Sequence, residues 1–211
     1  GTMRLCASLS SVRDAEGIEN ADMAEIRMDI FDSVPDIPGK DMIVTFRDVP
    51  DLSVLPKGFK GMIDVGEHDV PDIGTKVISS HHNYDSTPSS KEITSILSSM
   101  KGDVVKGAFK INSFADLKDL YDSSRSVKKE HVLLGMGELG TITRIRQDIL
   151  NNLFTFVYVG TPTAPGQLSL GEMASLGSHP MVAGIVGRPL EKSLSPKMHN
   201  AVMRKIGFKG I

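Results

Sequence analysis

The sequence predicts an α/β fold, a compact (β/α)8 barrel of the TIM type. Short runs rich in Val, Ile, Leu and Phe recur between turn-forming or helix-like stretches, the pattern of strands buried on both faces of a parallel sheet. There are about eight such runs, the number a closed barrel requires. Ionisable residues lie within or at the C-terminal ends of several of them, where barrels of this kind gather their working groups.

In chain order the expected strands are residues 4–9, 24–30, 42–47, 61–65, 76–80, 103–108, 131–136 and 154–159. Apolar residues at three-and-four spacing predict helices over 90–100, 114–123, 142–150 and 170–176. The first half is leaner. Between the second and third strands, and between the third and fourth, only about a dozen residues remain, which is short for a crossover helix. The barrel is therefore expected to be trimmed, and an open doubly wound sheet stays an alternative.

At 211 residues, 40% hydrophobic and 24% charged, the chain can bury a substantial core. Its 24 basic and 26 acidic side chains nearly cancel, to a formal charge of -2, without a long run of either sign. That leaves no electrostatic footprint for nucleic acid and favours a small-molecule partner. The single cysteine, Cys6, has no partner for a disulfide or a metal site, and no apolar stretch approaches a membrane span, so a cytoplasmic setting is expected. Gly1 and Thr2, ahead of Met3, read as a cloning remnant.

Glu25, Arg27 and Asp29 occupy alternate positions of the second expected strand and so share a face. Three ionisable groups on a buried face must pair or bind something polar; on an edge strand with a wet face they need not. Arg47 and Asp64 come late in the third and fourth strands, and His81 and His82 follow the fifth. Any one of them alone means little, and a lone histidine after a strand is more often a loop residue or a satisfied buried group than a catalyst. Lys106 is sharper, because Val104-Val105-Lys106-Gly107-Ala108-Phe109 places an ammonium in the middle of an apolar strand. Burial favours the neutral amine, the form that attacks a ketone. The other reading is a lysine whose stem lies on apolar surface while its head reaches water, a role that also suits Lys110.

Taken in order, Glu25-Ile26-Arg27-Met28-Asp29, Thr45-Phe46-Arg47, Ser79-Ser80-His81-His82, Val105-Lys106-Gly107-Ala108, Gly140-Thr141-Ile142-Thr143-Arg144 and Ala164-Pro165-Gly166-Gln167 resemble type I 3-dehydroquinate dehydratase across most of residues 3–178. The resemblance implies a barrel of the class I aldolase type and the dehydration of 3-dehydroquinate to 3-dehydroshikimate in the shikimate pathway. It makes Lys106 the amine that forms an imine with the substrate ketone, His82 the general acid and base, and Glu25 the carboxylate that orients that histidine. Arg144 and Gln167 match positions that hold the substrate carboxylate, and Arg27, Arg47 and Thr163 bind hydroxyls or reinforce the anion site. The loop 161–167 resembles a lid that is mobile without ligand. No metal, nucleotide or other cofactor is implied, and a homodimer is.

Two positions depart from the family pattern. Thr163 stands where serine is common, which keeps the hydroxyl. Two positions after Asp64, where the family has a carboxylate, this chain has Gly66, followed by Glu67.

Beyond residue 178, Gly187-Arg188-Pro189, Ser193-Leu194-Ser195-Pro196 and His199-Asn200 resemble the opening strand and substrate loop of shikimate dehydrogenase. The resemblance implies that Ser193 and Ser195 bind the shikimate carboxylate, and that residues 179–211 begin a second domain of a fused dehydratase and dehydrogenase. Up to residue 211 there is no glycine-rich dinucleotide loop, so hydride transfer is not expected of this chain. A different Schiff-base aldolase, or a non-catalytic module binding through an unpaired strand at 182–186, are the competing functions.

Overall fold

A computed structural model of the protein describes residues 4–177. All eight expected strands are present: β1 Leu5–Ser8, β2 Met23–Arg27, β3 Asp41–Thr45, β4 Met62–Asp64, β5 Val77–Asn83, β6 Val104–Lys110, β7 Glu130–Met136 and β8 Thr155–Tyr158. A ninth, β9 Leu168–Ser169, is too short to leave a sequence pattern. The helices are α1 Ser90–Ser99, α2 Phe114–Ser126, α3 Thr141–Ile145 and α4 Leu170–Gly177. Serines cap the two longest: Ser89 accepts from the Glu92 amide at the head of α1, and Ser113 with Asp116 forms a capping box on α2.

Every pairing is parallel, and the order is β7-β6-β5-β4-β3-β2-β1-β8-β9. Neighbours in sequence are neighbours in space, and β8 returns to the far edge of β1. The strand order nowhere reverses, so the doubly wound alternative is excluded and the sheet curls as a barrel does.

Strand parity sorts the side chains into two layers. Cys6, Met23, Ile43, Ile78, Val104, Ala108, Val132, Leu134 and Phe156 pack together inside the curl. Val105, Phe109 and Leu133, on the opposite face, pack with Ile93, Leu97 and Leu120 of α1 and α2. Around β3 and β4 the outer layer has no α-helix among the described residues. There Val44, Phe46, Ile63 and Val65 are covered by Val54 of a single 3-10 turn and by loop residues such as Leu55, Phe59 and Ile73. The lean first half of the sequence thus becomes a barrel sector clad in loops.

Three expectations change. β2 ends at Arg27, so Asp29 lies in the turn that follows, and β5 runs on to Asn83, so His81 and His82 are strand residues. The helix expected over 142–150 stops at Ile145. Arg146 leaves helical dihedrals and grips Asp148 two residues on, a spacing that does not meet on a helix, and Asn151 takes φ 54.

That early stop frees the chain to close the barrel. No strand ladder joins β7 to β8 among the described residues. Instead the Leu153 amide donates to the His131 carbonyl at 2.9 Å. The Asn152 side chain takes the part of a neighbouring strand: its Nδ2 donates to the Leu133 carbonyl and its Oδ1 accepts from the Leu133 amide, both at 2.7 Å. Higher up, β9 occupies the edge of β8 that a closed barrel would give to β7.

Replacing Asn152 by Ala leaves both Leu133 backbone groups without these partners. The expected loss is about 1–3 kcal/mol of stability in urea denaturation. A variant as stable as the parent would mean that the seam does not depend on this amide.

Candidate active site

Parity decides which polar residues face inward. In β6, Lys106 shares the interior face with Val104 and Ala108; in β5, His82 shares it with Ile78, while His81 points outward. His81 there packs on the Phe109 ring and pairs through Nδ1 with Glu67 at 2.5 Å. Glu25 and Arg27 alternate with Ala24 and Ile26, which belong to the outer layer.

The inward groups converge. Lys106, His82, Glu25, Arg27, Arg47, Arg144, Thr163 and Gln167 all line one cavity of about 90 Å³, together with Tyr84, Ala108, Leu134, Met136 and Phe156. Ser193 and Ser195 lie outside the described residues, as does the expected strand at 182–186.

Lys106 is 4% exposed. Its Nζ donates to Asp64 Oδ2 at 3.0 Å and lies 4.8 Å from the centre of the Phe156 ring. Asp64, equally buried, also accepts from the Gly66 amide at 2.9 Å and the Ser80 hydroxyl at 2.7 Å. Burial alone pushes this carboxyl up, but the Lys106 charge and those hydrogen bonds outweigh it and hold Asp64 below the usual carboxylate range. Asp64 is thus ionised and fully hydrogen-bonded.

Arg144 is 1% exposed and, among the described residues, has no carboxylate beside it. Burial draws its guanidinium down to about 10; among the described residues Nε has no hydrogen-bond partner and Nη2 reaches the Pro165 carbonyl at 3.3 Å. A buried cation with idle donors is a receptor for an anion, and a planar fork suits a carboxylate. The Nε of Arg47 is likewise buried and unpartnered.

The loop 161–167 is tied down at several points. Gln167 Oε1 accepts from the amides of Thr163 and Ala164 at 2.8 and 3.1 Å. Arg27 Nη1 donates to the Thr163 carbonyl at 2.8 Å, while its other nitrogens grip Asp29. The Thr163 hydroxyl donates to Ser8, whose own hydroxyl donates to Glu25, each at 2.7 Å. The loop expected to be mobile therefore has defined partners in this structure.

Glu25, expected to orient His82, lines the same cavity; its oxygens accept from Ser8 and, at 2.8 Å, from Thr45, and through Ser8 it reaches the loop. What His82 faces is Arg47, whose Nη1 lies 3.5 Å from Nε2, and the stacked ring of Tyr84. Burial, then the charges of Lys106 and Arg47, push the imidazole down to about 3, so it is neutral at pH 7 and able to accept a proton. Sequence reasoning missed the pairing of Lys106 with Asp64 and the place of Tyr84 in the wall. Both had a signal in parity, since Asp64 falls on the inward face of β4 and Tyr84 two positions beyond His82. Among the described residues no group of His, Cys, Asp and Glu could hold a metal ion, and no helix is long and apolar enough to cross a membrane.

The profile of the Type I 3-dehydroquinase family matches residues 66–178. A 3-dehydroquinate dehydratase of Archaeoglobus fulgidus is 32% identical over 189 residues, covering 81% of this chain and 95% of the relative. The chloroplastic bifunctional 3-dehydroquinate dehydratase/shikimate dehydrogenase of Arabidopsis thaliana is 29% identical over 147 residues, which is 64% of this chain and 24% of that protein. The crystal structure of a 3-dehydroquinate dehydratase from Geobacillus kaustophilus superposes with a TM-score of 0.68 at 17% identity, over 88% of this chain and 93% of that one. It shares the fold.

The depressed His82 predicts a titration. By NMR the ring should protonate with a midpoint near 3 in the folded protein, against about 6.5 for a free imidazole. Because the unfolded chain takes up this proton first, His82 costs stability as pH falls from about 6.5 towards 3 and costs nothing above that window. A midpoint near 6.5 would contradict the buried, cation-flanked environment.

Proposed function

Because the chain belongs to the type I 3-dehydroquinase family, we propose that its cavity dehydrates 3-dehydroquinate to 3-dehydroshikimate through an imine on Lys106. The activity is that of a 3-dehydroquinate dehydratase, a lyase of the shikimate pathway. One observation carries the residue roles: eight side chains scattered from position 25 to position 167 line a single cavity.

In the proposed reaction the Lys106 amine adds to the substrate ketone and water leaves, giving a protonated imine. Its nitrogen can accept an electron pair, so the neighbouring C–H bond is acidified. Neutral His82 takes that proton and an enamine forms. The enamine then returns its electrons, expelling the hydroxyl group while His82 gives the proton back, so that water departs. A second water hydrolyses the product imine and restores Lys106. Asp64 stays ionised beside the nitrogen and stabilises the cationic imine; its lowered carboxyl suits it to that task and not to proton transfer.

Arg144 and Gln167 hold the substrate carboxylate, and Arg27, Arg47 and Thr163 take hydroxyls or reinforce the anion site. The idle Nε atoms of Arg144 and Arg47 support this assignment. Glu25 acts through Ser8 on the loop, so that loop closure and the interior are coupled.

The proposal extends to the rest of the chain. Residues 179–211 begin a shikimate dehydrogenase-like unit in which Ser193 and Ser195 bind the shikimate carboxylate, after a dehydratase unit over 3–178. The name of the Arabidopsis relative supports such a fusion. A cytoplasmic homodimer completes the reading, the free, buried Cys6 being in keeping with a reducing compartment.

Borohydride added during turnover of dehydroquinate should leave product covalently on Lys106, located by peptide mass spectrometry, and Lys106→Met should abolish both adduct and turnover. Absence of an adduct in an active enzyme would sink the imine. Arg144→Met should lower kcat/KM by about 100-fold or more, since it removes one partner of a buried ionic contact. The same change should raise the melting temperature of the unliganded protein, because an unpaired buried charge is replaced by an apolar side chain of similar length. An unaltered kcat/KM would remove Arg144 from the anion site.

A further inference from the structure

His82 stands in a wall between two cavities. On one side lies the site of about 90 Å³; on the other is a wider space of about 390 Å³, reached by Glu67, His68 and Ser80. Arg47, His82 and Tyr84 line both. Gly66 puts nothing into the wider space: at φ 59, a Cβ built on it would meet only the Phe46 carbonyl oxygen, 3.9 Å away. An imidazole open on two sides needs something to fix its plane, a task that usually falls to a carboxylate or a backbone carbonyl.

The surrounding carboxylates are engaged elsewhere. Glu25 holds Ser8 and Thr45, Asp64 holds Lys106 and Ser80, and Glu67 holds His81. What touches His82 is Tyr84, stacked at 5.8 Å between ring centres with 11° between planes, and Arg47 at Nε2. The same Arg47 nitrogen donates to the Tyr84 hydroxyl oxygen at 3.3 Å.

We propose that Tyr84 is a positioning residue for the base: its ring fixes the plane of His82, and its hydroxyl holds the Arg47 guanidinium against Nε2. This rests on the reading of His82 as the acid and base of the dehydration. A guanidinium only donates, so the nitrogen it faces presents its lone pair and the ring proton sits on Nδ1. Tyr84 and Arg47 therefore select the tautomer that a carboxylate selects in other acid-base sites, from the opposite side of the ring. A phenylalanine at 84 supplies the stack without the hold on Arg47. The charged and titratable groups around His82 are Lys106, Arg47 and Asp64, with Glu25, Arg27 and Arg144 lining the same cavity, His81 next to it on the opposite face of the strand, Tyr84 on its ring, and Glu67 and His68 across the wider cavity.

The test compares Tyr84→Phe and Tyr84→Ala with the parent protein in turnover of dehydroquinate, pH profile and borohydride trapping. Tyr84 is 57% exposed, so both variants should fold, with circular dichroism and melting temperature as controls. Trapping on Lys106 should persist in both. In Tyr84→Ala kcat should fall by about 10- to 100-fold, the scale of a misplaced catalytic group, with KM within about twofold and the acid limb of kcat/KM moved to higher pH as the imidazole loses its cover. Tyr84→Phe should fall between the two, rescued in part by the retained stack. Parental kcat and acid limb in both variants would overturn the proposal, and so would a change confined to KM, which marks a contact at the cavity mouth. Failure of the parent protein to turn over dehydroquinate strikes the functional reading instead, and it shows before any substitution is made.

Discussion

The site depends on one buried ion pair. Lys106 and Asp64 face each other at 3.0 Å inside the curl of the sheet, where an isolated charge of either sign would cost several kcal/mol to bury. Removing either partner leaves the other stranded, so the pair forces β4 and β6 to present these positions on the same interior face. Ser80 on β5, the strand between them, supplies the hydroxyl that saturates Asp64. Three consecutive strands are thus registered by one carboxylate. The remaining cations of the cavity, Arg27, Arg47 and Arg144, then add to a field that suits an anionic substrate.

The neutral His82 belongs to the same electrostatics. Burial first, and then the charges of Lys106 and Arg47, hold this imidazole unprotonated, so two of the cations proposed to serve the substrate also keep the proposed base neutral at pH 7. The arrangement is asymmetric in use. Arg144 waits with idle donors, while Arg27 is already spent on Asp29 and on the loop carbonyl at Thr163. In the proposed binding mode the substrate would meet Arg144 with its Nε free and would compete with protein groups for Arg27.

Much of this was legible in the sequence because a strand has a period of two. Lys106 in step with Val104 and Ala108, and Glu25 and Arg27 alternating with Ala24 and Ile26, show without coordinates which residues share a face, and the runs of Val and Ile mark all eight barrel strands. What parity cannot give is partnership across the barrel. Glu25 and His82 lie on one face, yet the hydroxyls of Ser8 and Thr45 capture the carboxylate, a competition that depends on distances and not on spacing along the chain. The pairing of Lys106 with Asp64 joins residues 42 positions apart; parity marks the face they share but not their contact. The helix expected over 142–150 fails because its apolar periodicity continues past Ile145 while local contacts, Arg146 with Asp148 and the turn at Asn151, break the backbone.

The seam between β7 and β8 gives the barrel a joint unlike the others. Elsewhere neighbouring strands are riveted by successive backbone bonds, which open only together. Here the hoop is fastened below by the Asn152 amide, one backbone hydrogen bond and the His131 ring at the Leu150 carbonyl, and above by close packing of the segment that carries Thr163 and Gln167. Gly166 lies so close to Gly137, just past β7, that a Cβ on it would come within 2.8 Å of the Gly137 carbonyl oxygen. Segment 161–167 is thus less a flap laid over the mouth than a keystone set into the wall. In its proposed role as a lid it would open the same joint that completes the circumference of the barrel.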